Sequence, residues 1–388
     1  MNNGATIKAI GVGGGGGNMI NHLVERELLN VDLIVANTDV QALDKSNAPY
    51  KIQIGASLTK GLGAGMKPEV GENSALESEE SIHGMLVGSD LVFIATGLGG
   101  GTGTGAAPVI AKIAKNVGAL SVSIVTTPFR FEGRKRKKLA NEGLNKLREV
   151  SDAIIHVSNE NLLSICEKNL GMRDSFRMVD EVLSEAIVGI SSLITNHGTN
   201  DINLDFSDVR TVMTHKGLAL MGVGKSKGGD SAVIAAEDAM SSPLLDSLNI
   251  DGALGIIVHF NIHPDYPLQN ISEAMNIIED RADENADIIF GTSNSDELDL
   301  DEVKITLIAT GFENEYSESI KDETLTKDKP KDKPKELSFL EKKLLQSGII
   351  SDVEPHRAQI KRQRQDETNL DETNLDEPTY LRNLRKFG

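Results

Sequence analysis

The chain has 388 residues with a formal net charge of −18, and 39% of its residues are hydrophobic, as in soluble globular proteins. The first 314 residues carry 25 basic and 42 acidic side chains, which argues against nucleic-acid binding. No apolar run reaches the ~18 residues of a membrane span, and the N-terminus lacks a signal pattern. With the single cysteine, Cys166, this predicts a cytoplasmic chain without disulfides or direct membrane insertion.

Residues 6–195 alternate short apolar segments with segments of helical spacing, which predicts a parallel, doubly wound α/β sheet. The strands are predicted at 5–13, 31–39, 90–96, 119–128 and 152–159. The helices are predicted at 18–28, 107–117, 134–150 and 175–197. The last helix is the longest, because its apolar residues continue at intervals of three and four.

A second, smaller α/β unit is predicted to follow and to end near Phe312. Its helices are predicted at 205–217, 230–242 and 268–282. Its strands are predicted at 218–228, where the strand passes into a turn, and at 252–262 and 304–312. The predicted division is a first domain at 1–172, a connecting helix at 173–202 and a second domain at 203–314.

The composition changes after residue 314. KDKP and DETNL each occur twice in tandem, and Lys, Asp, Glu and Pro dominate, so most of this segment cannot bury a core. We predict a disordered linker at 315–375. The last residues, 376–388, are apolar, aromatic and basic, which predicts a peptide that docks on a partner.

Two glycine-rich stretches each follow a predicted strand and precede a predicted helix. They are GVGGGGGN, starting at Gly11, and GLGGGTGTG, starting at Gly97. Glycine lets backbone N–H groups converge on phosphate oxygens, and a helix N-terminus adds partial positive charge. The hydroxyl groups of Thr102 and Thr104 could add hydrogen bonds. Together the two stretches predict a polyphosphate site.

Two motifs suggest other nucleotides. Gly11, Gly13 and Gly16 satisfy G-x-G-x-x-G, and Asp39 follows the next strand, as in NAD-binding proteins. GVGKS at 222–226 is only a fragment of the P-loop motif, because Ala219 stands where the first glycine belongs, so a strand end and a polar turn are favoured there. An NAD-dependent oxidoreductase therefore remains one alternative, and a filament protein that holds nucleotide without hydrolysing it is another.

Several segments in order resemble the tubulin/FtsZ family, and FtsZ in particular, over residues 6–312. They are GVGGGGGN, NTDVQAL, GLGAGMKPEVG, GLGGGTGTGAAP, PFRFEGRKR and NLDFSDVRTVM. The resemblance implies the tubulin/FtsZ fold and a cell-division GTPase that binds GTP or GDP with Mg²⁺. It also implies head-to-tail polymerisation into a ring at mid-cell, hydrolysis that depends on polymerisation, and contact with spatial regulators of division.

The resemblance also implies roles for residues at the nucleotide. The first phosphate loop would be Gly14, Gly15, Gly16, Gly17 and Asn18, and the second would be Gly101, Thr102, Gly103 and Thr104. Glu132 and Arg136 would reach the ribose and phosphates, Phe176 would flank the base, and Asp180 would accept from guanine. Spacing alone instead favours an i,i+4 ion pair for Glu132 and Arg136. It also favours a surface Asp beside a core Phe for Asp180 and Phe176.

The segment NLDFSDV contains Asn203, Asp205 and Asp208 at a predicted helix start. Spacing alone favours helix capping by the two acids. The resemblance implies that this segment is catalytic: it would complete the active site of the neighbouring subunit, where the carboxylates orient and polarise the attacking water.

The final peptide resembles the FtsZ segment that docks on membrane-tethering proteins of the FtsA type. The matching residues are Asp376, Pro378, Tyr380, Leu381 and Arg382. Glu377 departs from the family pattern, because an aliphatic residue usually stands there.

Overall fold

The computed structural model describes residues 4–312 apart from 27, 29, 166–170, 196–201, 203, 216–217, 243–249 and 251. These residues belong to one compact unit that covers 1–321. The predictions for the linker and the terminal peptide lie outside the described residues, as do Asn203 and Cys166.

The first part of the chain forms the predicted parallel sheet, with strand order β3-β2-β1-β4-β5-β6. The strands are β1 (Ile7–Val12), β2 (Val31–Asn37), β3 (Tyr50–Gln53), β4 (Leu91–Gly97), β5 (Leu120–Thr127) and β6 (Ala153–Ser158). The order reverses beside β1, where Ile7 pairs with Val31 on one side and with Leu91 on the other. This reversal confirms the doubly wound arrangement.

Helices cover both faces of this sheet. They are α1 (Gly13–Glu25), α2 (Val40–Lys45), α3 (Ala56–Thr59), α4 (Pro68–Glu77), α5 (Glu79–Leu86), α6 (Thr102–Asn116), α7 (Arg134–Val150), α8 (Asn159–Ile165) and α9 (Met172–Thr195). Alternate residues of β1 supply two cores: Ile7 packs in the core shared with α1 and α9, and Ile10 packs in the core shared with α6 and α7. Both faces of the strands are therefore apolar, as a buried parallel sheet requires.

The second part of the chain extends the same sheet in the order β7-β10-β8-β9. Its elements are α10 (Phe206–Met213), β7 (Leu218–Lys227), α11 (Ser231–Met240), β8 (Gly255–Ile262), α12 (Leu268–Arg281), β9 (Asp287–Asn294) and β10 (Glu302–Thr310). Strand β10 runs antiparallel to β7 and β8, whereas β9 is parallel to β8. A short parallel pairing, Ile154 with Leu218, joins the two parts.

The strand end predicted at GVGKS is confirmed: β7 runs through these residues to Lys227, and the turn follows directly, at 228–230. Gly224 pairs with Ile305 of β10. A Cβ at Gly224 would lie 1.9 Å from the carbonyl oxygen of Ala235, so glycine is needed here for close packing of α11 on the strand. The glycine therefore serves packing and not phosphate binding.

Among the described residues, no helix combines the length and the apolar character needed to cross a membrane.

Candidate active site

A cavity of about 380 Å³ opens at the carboxyl ends of β1, β4, β5 and β6, where the strand order reverses. This is the position at which doubly wound sheets bind ligands. Ten residues predicted to bind nucleotide line it: Gly14, Gly15, Asn18, Gly101, Thr102, Gly103, Glu132, Arg136, Phe176 and Asp180. Side chains that are far apart in the sequence are thus brought to one cavity.

Three predicted residues lie behind the cavity wall. Gly16 and Gly17 are buried, and a Cβ at Gly16 would lie 2.1 Å from the carbonyl oxygen of Ala95. The Thr104 side chain is buried, and its hydroxyl accepts a hydrogen bond from the Gly99 N–H at 2.9 Å. In this structure these residues shape the two glycine loops and do not face the cavity.

Both glycine loops are the first turns of helices. The sequence placed the helix starts at 18 and 107, but α1 begins at Gly13 and α6 at Thr102. Neither helix has a side-chain cap bond or an acidic residue in its first turn. The first N–H groups of a helix have no partner within the helix and carry partial positive charge. Two such helix starts facing one cavity suit a polyphosphate.

The absent side chain of Gly14 leaves room for a ligand. A Cβ added at Gly14 would meet no atom within 4 Å, and Gly14 is exposed and lines the cavity. At Gly103, by contrast, a Cβ would lie 2.3 Å from Thr96 Oγ1, so glycine there allows α6 to approach β4. The two loops therefore contain glycines of both kinds, for ligand access and for packing.

Glu132 and Arg136 form the ion pair that spacing predicted and also line the cavity. Arg136 Nη1 donates to Glu132 Oε2 at 2.6 Å, and Glu132 Oε1 accepts from the Phe129 N–H at 3.0 Å. Arg136 is the only basic side chain among the described residues that line the cavity. Most of the attraction for phosphate must therefore come from backbone N–H groups.

The opposite wall is formed by α9. Phe176 is 38% exposed and contacts Phe129 edge to face, with ring centroids 5.4 Å apart. Burial raises the pKa of Asp180 to about 7. The expectation from spacing alone, a surface Asp beside a core Phe, is thus wrong: the Phe is accessible and the Asp is largely buried. An aromatic face beside an acceptor carboxylate suits guanine, whose N1–H and N2–H₂ groups are donors.

Sequence analysis missed Asn159, the first residue of α8. It lines the cavity, is 7% exposed, and its Oδ1 has no hydrogen-bond partner among the described residues. Buried polar atoms are nearly always paired, so this oxygen is available to accept a hydrogen bond from a molecule in the cavity, whether a ligand or a water. The available signal was a polar residue at the carboxyl end of a predicted parallel strand.

The candidate catalytic acids lie elsewhere. Asp205 is the N-cap of α10, and its Oδ1 accepts from the Ser207 N–H at 3.2 Å, which confirms the capping expected from spacing. Asp208 lies in the first turn of the same helix, and both side chains are exposed. Neither lines the cavity.

The structure does not support the NAD alternative, because the acidic residue on which it depends lies away from the cavity. Asp39 is the N-cap of α2 and accepts from the backbone N–H groups of Gln41 and Ala42. It does not line the cavity.

The fold and the site together define a tubulin-like GTPase. Residues 6–167 match the family model described as Tubulin/FtsZ family, GTPase domain, and residues 217–313 match FtsZ family, C-terminal domain. The chain is 46% identical over 332 residues to the cell division protein FtsZ of Helicobacter pylori strain J99, covering 85% of this chain and 86% of that protein. The chain belongs to the FtsZ family and is a GTP-binding cell-division protein with GTPase activity.

Solved structures agree with this assignment. The FtsZ of M. jannaschii, described as an empty dimer, superposes with a TM-score of 0.76 at 42% identity, covering 80% of this chain and 89% of that one. CetZ1 from Haloferax volcanii, a GDP-bound monomer, superposes with a TM-score of 0.67 at 20% identity, covering 80% and 95%. At that identity the likeness to CetZ1 shows the fold alone.

Proposed function

We propose that this GTPase assembles head to tail into filaments that form the division ring, and that each active site is completed by the next subunit. The observation that carries the proposal is that the candidate catalytic acids lie away from the cavity. The cavity holds the phosphate-binding helix starts, whereas the exposed acids Asp205 and Asp208 lie on α10, outside its lining. Head-to-tail contact would bring one subunit's α10 to the next subunit's cavity.

The two acids that line the cavity are poorly suited to activating water at the γ-phosphate. Glu132 is bound to Arg136 and to the Phe129 N–H. Asp180 lies on α9 beside Phe176, at the proposed base end of the cavity. The attacking water would therefore be oriented by Asp205 and Asp208 of a neighbour, together with Asn203 from the same segment.

In the proposed binding mode the phosphates rest on the first turns of α1 and α6. Glu132 and Arg136 contact the ribose and phosphate side, and the guanine lies against Phe176 with Asp180 and Asn159 as polar partners. Mg²⁺ would be held mainly by the phosphates and water, as is usual for this ion.

Self-association has support from a relative, because the solved FtsZ of M. jannaschii is described as a dimer. The test is the hydrolysis rate per subunit across a protein dilution series at saturating GTP. We expect the rate to rise steeply above a threshold concentration, because contacts between subunits form only there. A rate per subunit that is independent of concentration would contradict the shared site.

The segments outside the described residues are assigned from the sequence. We propose that 315–375 is a linker and that 376–388 docks on membrane-tethering proteins of the FtsA type, with Tyr380 and Leu381 as apolar anchors and Asp376, Pro378 and Arg382 around them. The filament would thus reach the membrane at mid-cell through a partner, and spatial regulators would act on the same polymer.

Deleting 376–388 is expected to leave hydrolysis and assembly in solution at wild-type levels. It should abolish recruitment to vesicles that carry an FtsA-type protein, measured by co-sedimentation. Tyr380→Ala should reduce this recruitment nearly as much as the deletion does. Loss of assembly in solution would instead place the peptide in the filament interface.

A further inference from the structure

A buried carboxylate on the long helix α9 is bound by two cations from different parts of the fold. Glu185 has 8% of its side chain exposed, and its Oε1 lies 2.5 Å from Arg26 Nη1 and 2.6 Å from Lys304 Nζ. Arg26 is the C-cap of α1, and Lys304 lies on β10. One side chain therefore connects the helix that begins at the first glycine loop with the last described strand.

Both contacts join fully charged groups. Burial alone would raise the pKa of Glu185, but Lys304 and then Arg26 outweigh burial and hold that pKa below its usual range. Glu185 is therefore ionised at neutral pH. Hydrogen bonds between charged groups are short and directional, so each cation is held at a defined position.

Helix α1 lacks a comparable contact at its other end. Its first turn is made of glycines without a side-chain cap, and its buried face consists of apolar residues such as Met19, Ile20 and Leu23. Apolar packing is non-directional, so it holds a helix against the sheet better than it fixes the position of the helix along its own axis. Directional contacts come instead from Asn21, whose Oδ1 accepts from Ser46 Oγ at 2.7 Å and from the Asn47 N–H at 2.9 Å, and from Arg26, which binds Glu185 at the C-terminal end of the helix.

A displacement at Arg26 would be transmitted to the cavity. The 13 residues of α1 span about 20 Å at the usual rise per residue. Gly14, Gly15 and Asn18 line the cavity at one end of this helix, and Arg26 caps the other. Axial movement of α1 would therefore shift its first N–H groups relative to a bound phosphate.

We propose that Glu185 is a positioning residue for phosphate binding, which acts by holding Arg26 and thereby setting the position of the first turn of α1. The inference rests on the proposed role of 14–18 as the first phosphate loop. Lys304 binds the same carboxylate but belongs to β10 and not to α1, so it is not the contact that holds this helix.

Arg26→Gln and Lys304→Gln are matched variants, because each removes one cation from Glu185 and leaves the other in place. In the full chain below the assembly threshold, Arg26→Gln is expected to weaken GTP and GDP binding about tenfold, a usual size for coupling between sites. Binding of guanosine, which has no phosphate, should stay at the wild-type level. Lys304→Gln should leave all three ligands unchanged, and Arg26→Lys should recover most of the GTP affinity. Calorimetric titration measures each Kd.

Equal losses for GTP and guanosine in Arg26→Gln would overturn the proposal, because they indicate general loosening of the fold. Unchanged GTP affinity in Arg26→Gln would overturn it as well. Gly14→Ala separates this inference from the phosphate-loop proposal, since the added methyl group meets no protein atom. If Gly14→Ala binds GTP like the wild type, both proposals fail. If only Gly14→Ala loses GTP affinity, the role of Glu185 alone fails.

Discussion

Asp208→Ala is expected to slow GTP hydrolysis about a hundredfold or more, the usual range for losing a group that handles protons or water. The Kd for GTP should stay at its wild-type value, because Asp208 is exposed on α10 and does not line the cavity. Filaments should still form and should last longer, since GDP accumulates slowly. Phosphate release and light scattering on the same sample measure both effects.

Two further variants separate catalysis from helix stability. Asp205→Asn keeps an N-cap acceptor for the Ser207 N–H, so it should preserve α10 while slowing hydrolysis. Asp238→Ala removes an exposed carboxylate from α11 and should change neither rate nor affinity. A normal rate in Asp208→Ala, or an equal loss in Asp238→Ala, would remove the α10 acids from the mechanism.

Asp180→Asn is expected to change stability and GTP affinity in opposite directions. The pKa of Asp180 is about 7 in the folded chain because of burial, against an ordinary value of 3.8. The folded state thus holds this proton more tightly, so the nucleotide-free protein loses stability as the pH rises from about 4 through about 7. The amide that replaces the carboxyl group never ionises, so the variant should be more stable at pH 8, by on the order of 4 kcal/mol.

The same substitution should weaken GTP binding by ~1–3 kcal/mol, because an amide cannot accept from both guanine donors. Competition by ATP should become relatively stronger. In the wild type, GTP affinity should rise with pH up to about 7 and then level off, since the ionised carboxylate is the acceptor. Titrations and thermal unfolding at pH 6 and pH 8 test this. Unchanged GTP affinity in Asp180→Asn, or an affinity independent of pH, would remove Asp180 from the site.

The central strands and long helices could be predicted because their buried faces leave a clear pattern of apolar residues in the sequence. Helix α7 has the predicted bounds, 134–150, and β1, β2, β4, β5 and β6 lie where apolar runs placed them. Strands β3 and β9 were missed because they lie at the two ends of the sheet order. In β3 only Ile52 is buried, so the sequence of this strand carries little apolar signal.

The parts of the candidate site that lie within local sequence motifs could be predicted. The glycine stretches identified the two loops that line the cavity, but spacing could not distinguish Gly14, which faces the cavity, from Gly16, which packs against β4. That distinction depends on the carbonyl oxygen of Ala95, about eighty residues away in the chain. Asn159 was missed because its place in the site depends on the folded structure and not on a local motif. Its side chain is buried at the cavity, and its Oδ1 has no hydrogen-bond partner among the described residues.

The proposal that each active site is completed by a neighbouring subunit is tested most directly by mixing two variants. Asp208→Ala should hold GTP but lack the acid for its neighbour, whereas Gly14→Ala should offer the acid but hold no GTP. Each chain alone is therefore expected to release little phosphate. In an equimolar mixture, α10 of a Gly14→Ala subunit can meet GTP held by an Asp208→Ala subunit. We predict phosphate release well above the sum of the two separate rates; a rate equal to that sum would show that no site is completed by a neighbour.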